Sequence, residues 1–143
     1  MPGLPSFNAE TYELSLLYAR AIDRLDPTIF ERIFTKDAVF VFGEQSFKGL
    51  EEIQGLTGVT RKMFRQTLHY MVNHLAEIDG DSGTTETYCM AQHISHDEAL
   101  PMHLTWYLRY LDEVVRQGGK WRIKRRELIV DLNTRHAGRL GFL

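Results

Sequence analysis

From residue 67 onward the chain reads as four long extended segments, 67–78, 84–95, 102–115 and 121–131, and this constrains the fold more than any other feature. Only short breaks separate them. These are Asp79-Gly80-Asp81-Ser82-Gly83, the loop 96–101 opening with His96, and the hairpin turn Gln117-Gly118-Gly119. Parallel neighbours need a long crossover, so strands joined this tightly pair antiparallel. Helices precede them. Leu14, Leu17, Tyr18, Ala21, Ile22 and Leu25 recur on one face of a first helix with Asn8 as its N-cap. Asp26-Pro27 starts a short second helix with Ile29, Phe30, Ile33 and Phe34 inward. A strand over 38–42, the turn Gly43-Glu44 and a return strand over 45–48 follow, and Gly49 opens a third helix to about Phe64. Residues 132–143 show no clear period and read as a tail or flap. Helices first and long strands after predict α+β: three N-terminal helices packed on the concave face of one strongly curved, mostly antiparallel sheet.

The chain of 143 residues, 43% of them hydrophobic, is most simply one domain over 1–143 with a real core. A net charge of −2 and a pI near 6.3 give no reason to expect nucleic acid or an anionic membrane. The basic run Lys120, Arg122, Lys124, Arg125, Arg126 alternates with strand residues, as a solvated face does. Cys89 is the single cysteine, which excludes an internal disulfide or a thiolate metal cluster and suits a reducing cytoplasm. The start Met1-Pro2-Gly3-Leu4-Pro5 does not resemble a signal peptide, and no apolar run approaches the ~20 residues of a membrane span. With no His-x-x-x-His spacing and no glycine-rich phosphate loop, neither a metal nor a cofactor is expected.

Few residues are left for chemistry. His69 stands in Thr67-Leu68-His69-Tyr70-Met71-Val72-Asn73 and by alternation shares a face with Met71, Asn73 and Leu75. Asp23 lies near the end of the first helix, beside its apolar stripe. A carboxylate there needs a partner once partly buried, and a carboxylate holding one imidazole nitrogen leaves the other free as a base. Tyr18 is on the inward stripe, where it packs or offers a hydrogen bond. His93 alternates with the small or uncharged side chains of Thr87, Cys89 and Ala91, so it lines a cavity or faces water at a strand end. Strict alternation puts Arg125 with Trp121 and Ile123, and a bulge puts Arg126 there instead. His74, His96, His103 and His136 read as surface or loop residues.

The stretches Tyr18-Ala19-Arg20-Ala21-Ile22-Asp23, Phe34-Thr35-Lys36-Asp37-Ala38, Thr67-Leu68-His69-Tyr70, Arg109-Tyr110-Leu111-Asp112-Glu113 and Gly119-Lys120-Trp121-Arg122-Ile123 together resemble the SnoaL-like branch of the nuclear-transport-factor-two-like superfamily. The resemblance spans nearly the whole chain and implies a cone-shaped α+β barrel. Asp23 and His69 are similar to the catalytic pair of scytalone dehydratase, hexachlorocyclohexane dehydrochlorinase and a bile-acid dehydratase. Tyr18 is similar to the tyrosine of the last of these, His93 to the second histidine of scytalone dehydratase, and Arg126 to an arginine inside the cone of some members.

What this implies is a cofactor-independent lyase or isomerase, dehydratase-like, acting on a small hydrophobic cyclic substrate such as a steroid or polyketide. His69 acts as base and Asp23 steadies its imidazolium, while Tyr18, His93 and Arg126 handle developing charge. The pocket is expected from Leu17, Phe30, Phe34, Phe40, Phe42, Phe64, Met71 and Trp106. The alternative is a non-catalytic ligand carrier or structural subunit, because the small subunits of ring-hydroxylating oxygenases share the fold and often the Arg-Tyr-x-Asp-Glu stretch. Apolar outward faces on strands such as 102–115 imply a homo-oligomer, dimer or trimer, through the outer sheet face.

Overall fold

The computed structural model describes residues 3–138. Helix α1 is Ala9–Asp23; its N-cap Asn8 accepts a 2.9 Å bond from the Thr11 amide. The helix stops because Leu25 takes a left-handed φ of 54°, so Leu25 leaves the apolar stripe and is exposed. Asp26 then caps a 3-10 helix, Pro27–Arg32. That helix ends before Ile33 and Phe34, and strand β1 (Phe34–Phe42) begins four residues ahead of its expected start at 38. β2 is Gln45–Lys48, as expected. The single helix expected over 49–64 is two, α2 (Leu50–Gln54) and α3 (Leu56–Met63), meeting at Gly55. Gly55 keeps right-handed helical angles (φ −62°, ψ −17°), and a Cβ there would lie 3.0 Å from the Glu52 carbonyl oxygen, so a side chain would crowd the junction.

Four long strands follow: β3 (Gln66–Asp79), β4 (Ser82–Ile94), β5 (Met102–Gln117) and β6 (Lys120–Ala137). The expected tail is therefore strand through Ala137, paired to β5, and residues 139–143 lie outside the described residues. The sheet order is β2-β1-β6-β5-β4-β3, antiparallel throughout except for the parallel pair β1–β6. The end strands β2 and β3 do not meet, so the sheet curls without closing. α1 lies in the curl against β3, and the core there includes Tyr18, Phe30, Phe34, Phe40, Tyr110 and Ile123. Burying a side chain of this size contributes roughly 1.5–3 kcal/mol. Among the described residues no helix is long and apolar enough to cross a membrane.

Three bulges set which side chains enter the curl. Each adds one residue to a strand and reverses its facing beyond that point. In β3 the shift between Met71 and His74 turns Asn73 and Leu75 outward and His74 inward. This corrects the expected face His69–Met71–Asn73–Leu75, and it corrects His74, which is buried rather than on the surface. In β6 the shift at Lys124 puts Arg126 inside and leaves Arg125 half-buried on the outer face. A third shift, opposite Tyr107 and Leu108, takes up Asp131.

Candidate active site

Asp23 is the last residue of α1, where the helix dipole disfavours a carboxylate. Three donors offset this. Its Oδ1 accepts from the Thr67 hydroxyl at 2.9 Å and lies 2.7 Å from His69 Nδ1. Its Oδ2 accepts from the His69 backbone amide at 2.8 Å. β3 is an end strand, so that amide has no strand partner and Asp23 takes its place. The carboxylate thus grips both backbone and ring of His69. With Nδ1–H donating to Asp23, Nε2 keeps its lone pair. Both side chains are largely shielded, 7% exposed for His69 and 18% for Asp23.

His69 opens onto a cavity of about 320 Å³. Its walls are Phe40, Phe42, Phe64 and Trp106, its floor is Tyr18, Tyr110 and Leu128, and Val59 and Met63 of α3 rim it. Of the expected lining residues, Leu17, Phe30, Phe34 and Met71 do not reach it. Leu17 sits on the flank of α1 beside Trp121. Phe30 and Phe34 pack behind the Tyr18 ring, with centroids at 5.7 and 6.3 Å. Met71 is buried further along β3, where its carbonyl accepts from Tyr12 Oη at 2.8 Å.

His93 lines the same cavity, its ring wedged between Trp106 (4.4 Å) and Phe64 (4.6 Å) and 5.9 Å from that of His69. Burial, with His69 nearby as a smaller cause, pushes its pKa down to about 4. The neutral ring faces the Leu104 carbonyl through Nδ1 at 3.4 Å, which assigns the proton to Nδ1 and a lone pair to Nε2. Tyr18 is fully buried apart from the cavity; burial pushes its phenol well above the usual range, and the Arg126 guanidinium works against that rise. Cys89, buried close by, has its thiol pushed up to about 12 by burial and is no nucleophile.

Arg126 is inside the curl but does not line the cavity. It makes two 2.8 Å bonds to Asp112 and a third to Ser15 Oγ. Its guanidinium lies over the rings of Tyr18 (4.6 Å) and Tyr110 (4.3 Å), which cover it from the cavity side. Direct contact between Arg126 and a reacting atom is therefore blocked, which corrects that expectation.

His74 belongs to a separate polar chain. Arg126 Nη2 donates to Ser15, Ser15 is 3.3 Å from Thr87 Oγ1, Thr87 is 2.8 Å from His74 Nδ1, and His74 Nε2 is 2.9 Å from Thr11 Oγ1. The Thr11 hydroxyl ends the chain on Asn8. Every donor points the same way if His74 is neutral with its proton on Nε2, and burial lowers its pKa accordingly. Of the other histidines, His96 and His136 are exposed and His103 half-buried, and none of them lines the cavity. Among the described residues no three His, Cys, Asp or Glu side chains come close enough to hold a metal ion.

The sequence matches the SnoaL-like domain family over residues 8–127. The chain belongs to the SnoaL-like family. No curated protein matches it. Three of the solved structures that share the fold illustrate the likeness. One is a candidate scytalone dehydratase from Novosphingobium aromaticivorans DSM 12444, 21% identical with a TM-score of 0.76, covering 94% of this chain and 93% of that one. Another is the hexachlorocyclohexane dehydrochlorinase LinA-type3 from Novosphingobium barchaimii LL02, 19% identical with a TM-score of 0.80, covering 94% and 92%. The third, from Nostoc punctiforme PCC 73102, has a cystatin-like fold and is 21% identical with a TM-score of 0.72, covering 85% and 89%.

This SnoaL-like chain also brings to the cavity residues that the sequence reading passed over. Tyr110 and Leu108 follow Trp106 at period two on β5, so alternation alone locates them once Trp106 is placed. Leu56, Val59, Thr60 and Met63 recur at helical spacing on α3. Thr67 was readable only as a neighbour of His69; its bond to Asp23 comes from the fold.

Proposed function

We propose that this protein is a cofactor-independent lyase or isomerase of dehydratase type, acting on a small, uncharged ring compound. The observation that carries the reading is the Asp23–His69 pair opening on an apolar cavity. In the mechanism, His69 Nε2 removes a proton from carbon beside a carbonyl. The electron pair of that C–H bond forms the new double bond as the carbon–oxygen bond one position away breaks. The imidazolium returns the proton to the departing oxygen, which leaves as water. Asp23 holds Nδ1–H throughout and stabilises the transient charge. In an isomerisation the same proton returns to a different carbon.

Tyr18, its phenol kept neutral by burial, donates to the substrate carbonyl oxygen. His93 contributes differently from the expected charge stabiliser: its free Nε2 lone pair accepts a hydrogen bond from a substrate hydroxyl. Arg126 serves by holding the Tyr18 and Tyr110 rings in place. A positioned base contributes about 10²–10⁴-fold, and shape and exclusion of water add to it. Likeness of fold to a candidate dehydratase and a dehydrochlorinase supports the reaction class. A purely structural subunit has no use for a sheltered cavity with an acid–base pair at its wall.

The test is a screen of cyclic hydroxy-ketones for loss of water, read by the absorbance of the conjugated product, with His69→Ala in parallel. Turnover that needs His69 and survives a chelator is expected. Turnover retained by His69→Ala on the same compound overturns the assignment.

A further inference from the structure

Tyr110 carries a hydroxyl with no role in the steps assigned to His69, Asp23 and Tyr18. The residue is fully buried, and its Oη has no hydrogen-bond partner among the described residues. A buried hydroxyl left unpaired costs stability, and phenylalanine at the same place would avoid that cost. Phe30 and Phe34, packed in the same core, show that the fold fills such places with rings that carry no hydroxyl.

The surroundings indicate what pairs with it. Trp106, Leu108 and Tyr110 alternate inward along β5, which brings Tyr110 to the cavity floor beside Tyr18. The two rings meet edge to face, with centroids 5.3 Å apart and planes at 65°. Their hydroxyls are near enough to perturb each other, yet they do not bond. The Tyr18 ring is in turn 6.4 Å from that of His69. Two phenols and a base thus border one cavity. The Arg126 guanidinium lies against both phenol rings, at 4.6 and 4.3 Å. Burial keeps both phenols protonated, and Arg126 works against that rise, which makes each a stronger donor.

We propose that Tyr110 is a catalytic residue, a second donor that holds the substrate carbonyl oxygen together with Tyr18. This rests on the Asp23–His69 reading given under the proposed function. As His69 takes the proton, the C–H electron pair spreads onto the carbonyl oxygen before the carbon–oxygen bond breaks. Negative charge collects on that oxygen, and two O–H groups stabilise it without giving up a proton. A carbonyl oxygen has two lone pairs and accepts both donors at once. The substrate class is therefore a ketone or aldehyde whose oxygen turns enolate-like in the reaction.

The test is one of binding. Pentafluorophenolate, ionised at neutral pH, mimics that oxygen on a flat apolar ring, and hexafluorobenzene is the same ring without it. Fluorine NMR reads the binding of each to the whole chain. The wild type is expected to prefer pentafluorophenolate. Tyr110→Phe weakens it by about tenfold, Tyr18→Phe by about as much and the two together by about a hundredfold, since each removes one hydrogen bond to a charged oxygen. Hexafluorobenzene binds all four proteins equally. The melting temperature of Tyr110→Phe does not fall, because the hydroxyl it loses is unpaired within the chain. No turnover enters this test, so its failure is distinct from failure of the His69 assignment, which the turnover screen reads. A wild type that does not prefer the phenolate overturns the proposal. So does a Tyr110→Phe variant that binds pentafluorophenolate as the wild type does, loses both ligands alike, or melts lower.

Discussion

His69 and His74 lie on one strand and face inward, yet they are built for opposite ends. His69 is tied to a carboxylate and opens on a cavity. His74 is held between two hydroxyls and does not line that cavity. A charge appearing on His69 meets Asp23 at 2.7 Å, whereas a charge on His74 would reverse a hydroxyl chain that ends on Arg126. Burial alone therefore does not distinguish a working histidine from a structural one. The partner and the adjoining space do.

The largest expected effect is on the first of these two. His69→Ala lowers turnover on the true substrate by about 10²–10⁴-fold while the melting temperature holds. Asp23→Asn approaches the same loss, because both carboxylate oxygens accept bonds and an amide offers only one acceptor. His74→Ala should do the reverse, costing stability and sparing the rate per folded molecule. If His74→Ala stops turnover in folded protein and His69→Ala does not, the comparison is inverted.

Next comes the far end of the hydroxyl chain. Asp112→Ala strands the fully buried Arg126 charge and should cost about 3–5 kcal/mol in urea unfolding. A loss below about 1 kcal/mol would show that water reaches Arg126.

Acid should act on both histidines through burial. His93, at about 4 when folded, and His74, also lowered, bind fewer protons folded than unfolded as pH falls below the ordinary histidine value of about 6.5. Their stabilising contribution is complete above about pH 6.5 and is lost progressively toward pH 4, on the order of 3 kcal/mol for His93. His93→Gln should flatten the stability–pH curve in that window, and an unchanged slope would place His93 in contact with water.

The smallest effect belongs to Tyr18→Phe. It removes one neutral hydrogen bond to the substrate, worth about 0.5–1.5 kcal/mol, so the rate falls by roughly tenfold at most. A far larger loss would mean that Tyr18 transfers a proton itself.

Much of this was legible in advance. The tight turns after residues 78 and 117 fixed antiparallel neighbours, and the Asn8 and Asp26 caps located the helix starts. Asp23 and His69 meet at 2.7 Å, and the expected Phe40, Phe42, Phe64 and Trp106 line the cavity beside His69. The expected Leu17, Phe30, Phe34 and Met71 do not line it, because inward-facing covers both the cavity and the packed core behind it. The short 3-10 helix and the Gly55 break also escaped the pattern, since each is settled by one or two residues.

The sequence by itself determined the order of helices and strands, and the alternation within each strand, because both depend on residues a few positions apart. Only the tertiary structure decided parity across the bulges, and so whether Arg125 or Arg126, and Asn73 or His74, turned inward. A bulge forms where a bent sheet must shed strain and satisfy buried groups, and its position depends on partners far along the chain. The same holds for the contact that matters most. Asp23 and His69 are 46 residues apart, and they meet because the open edge of a curled sheet offers an unpaired amide at the place where α1 ends.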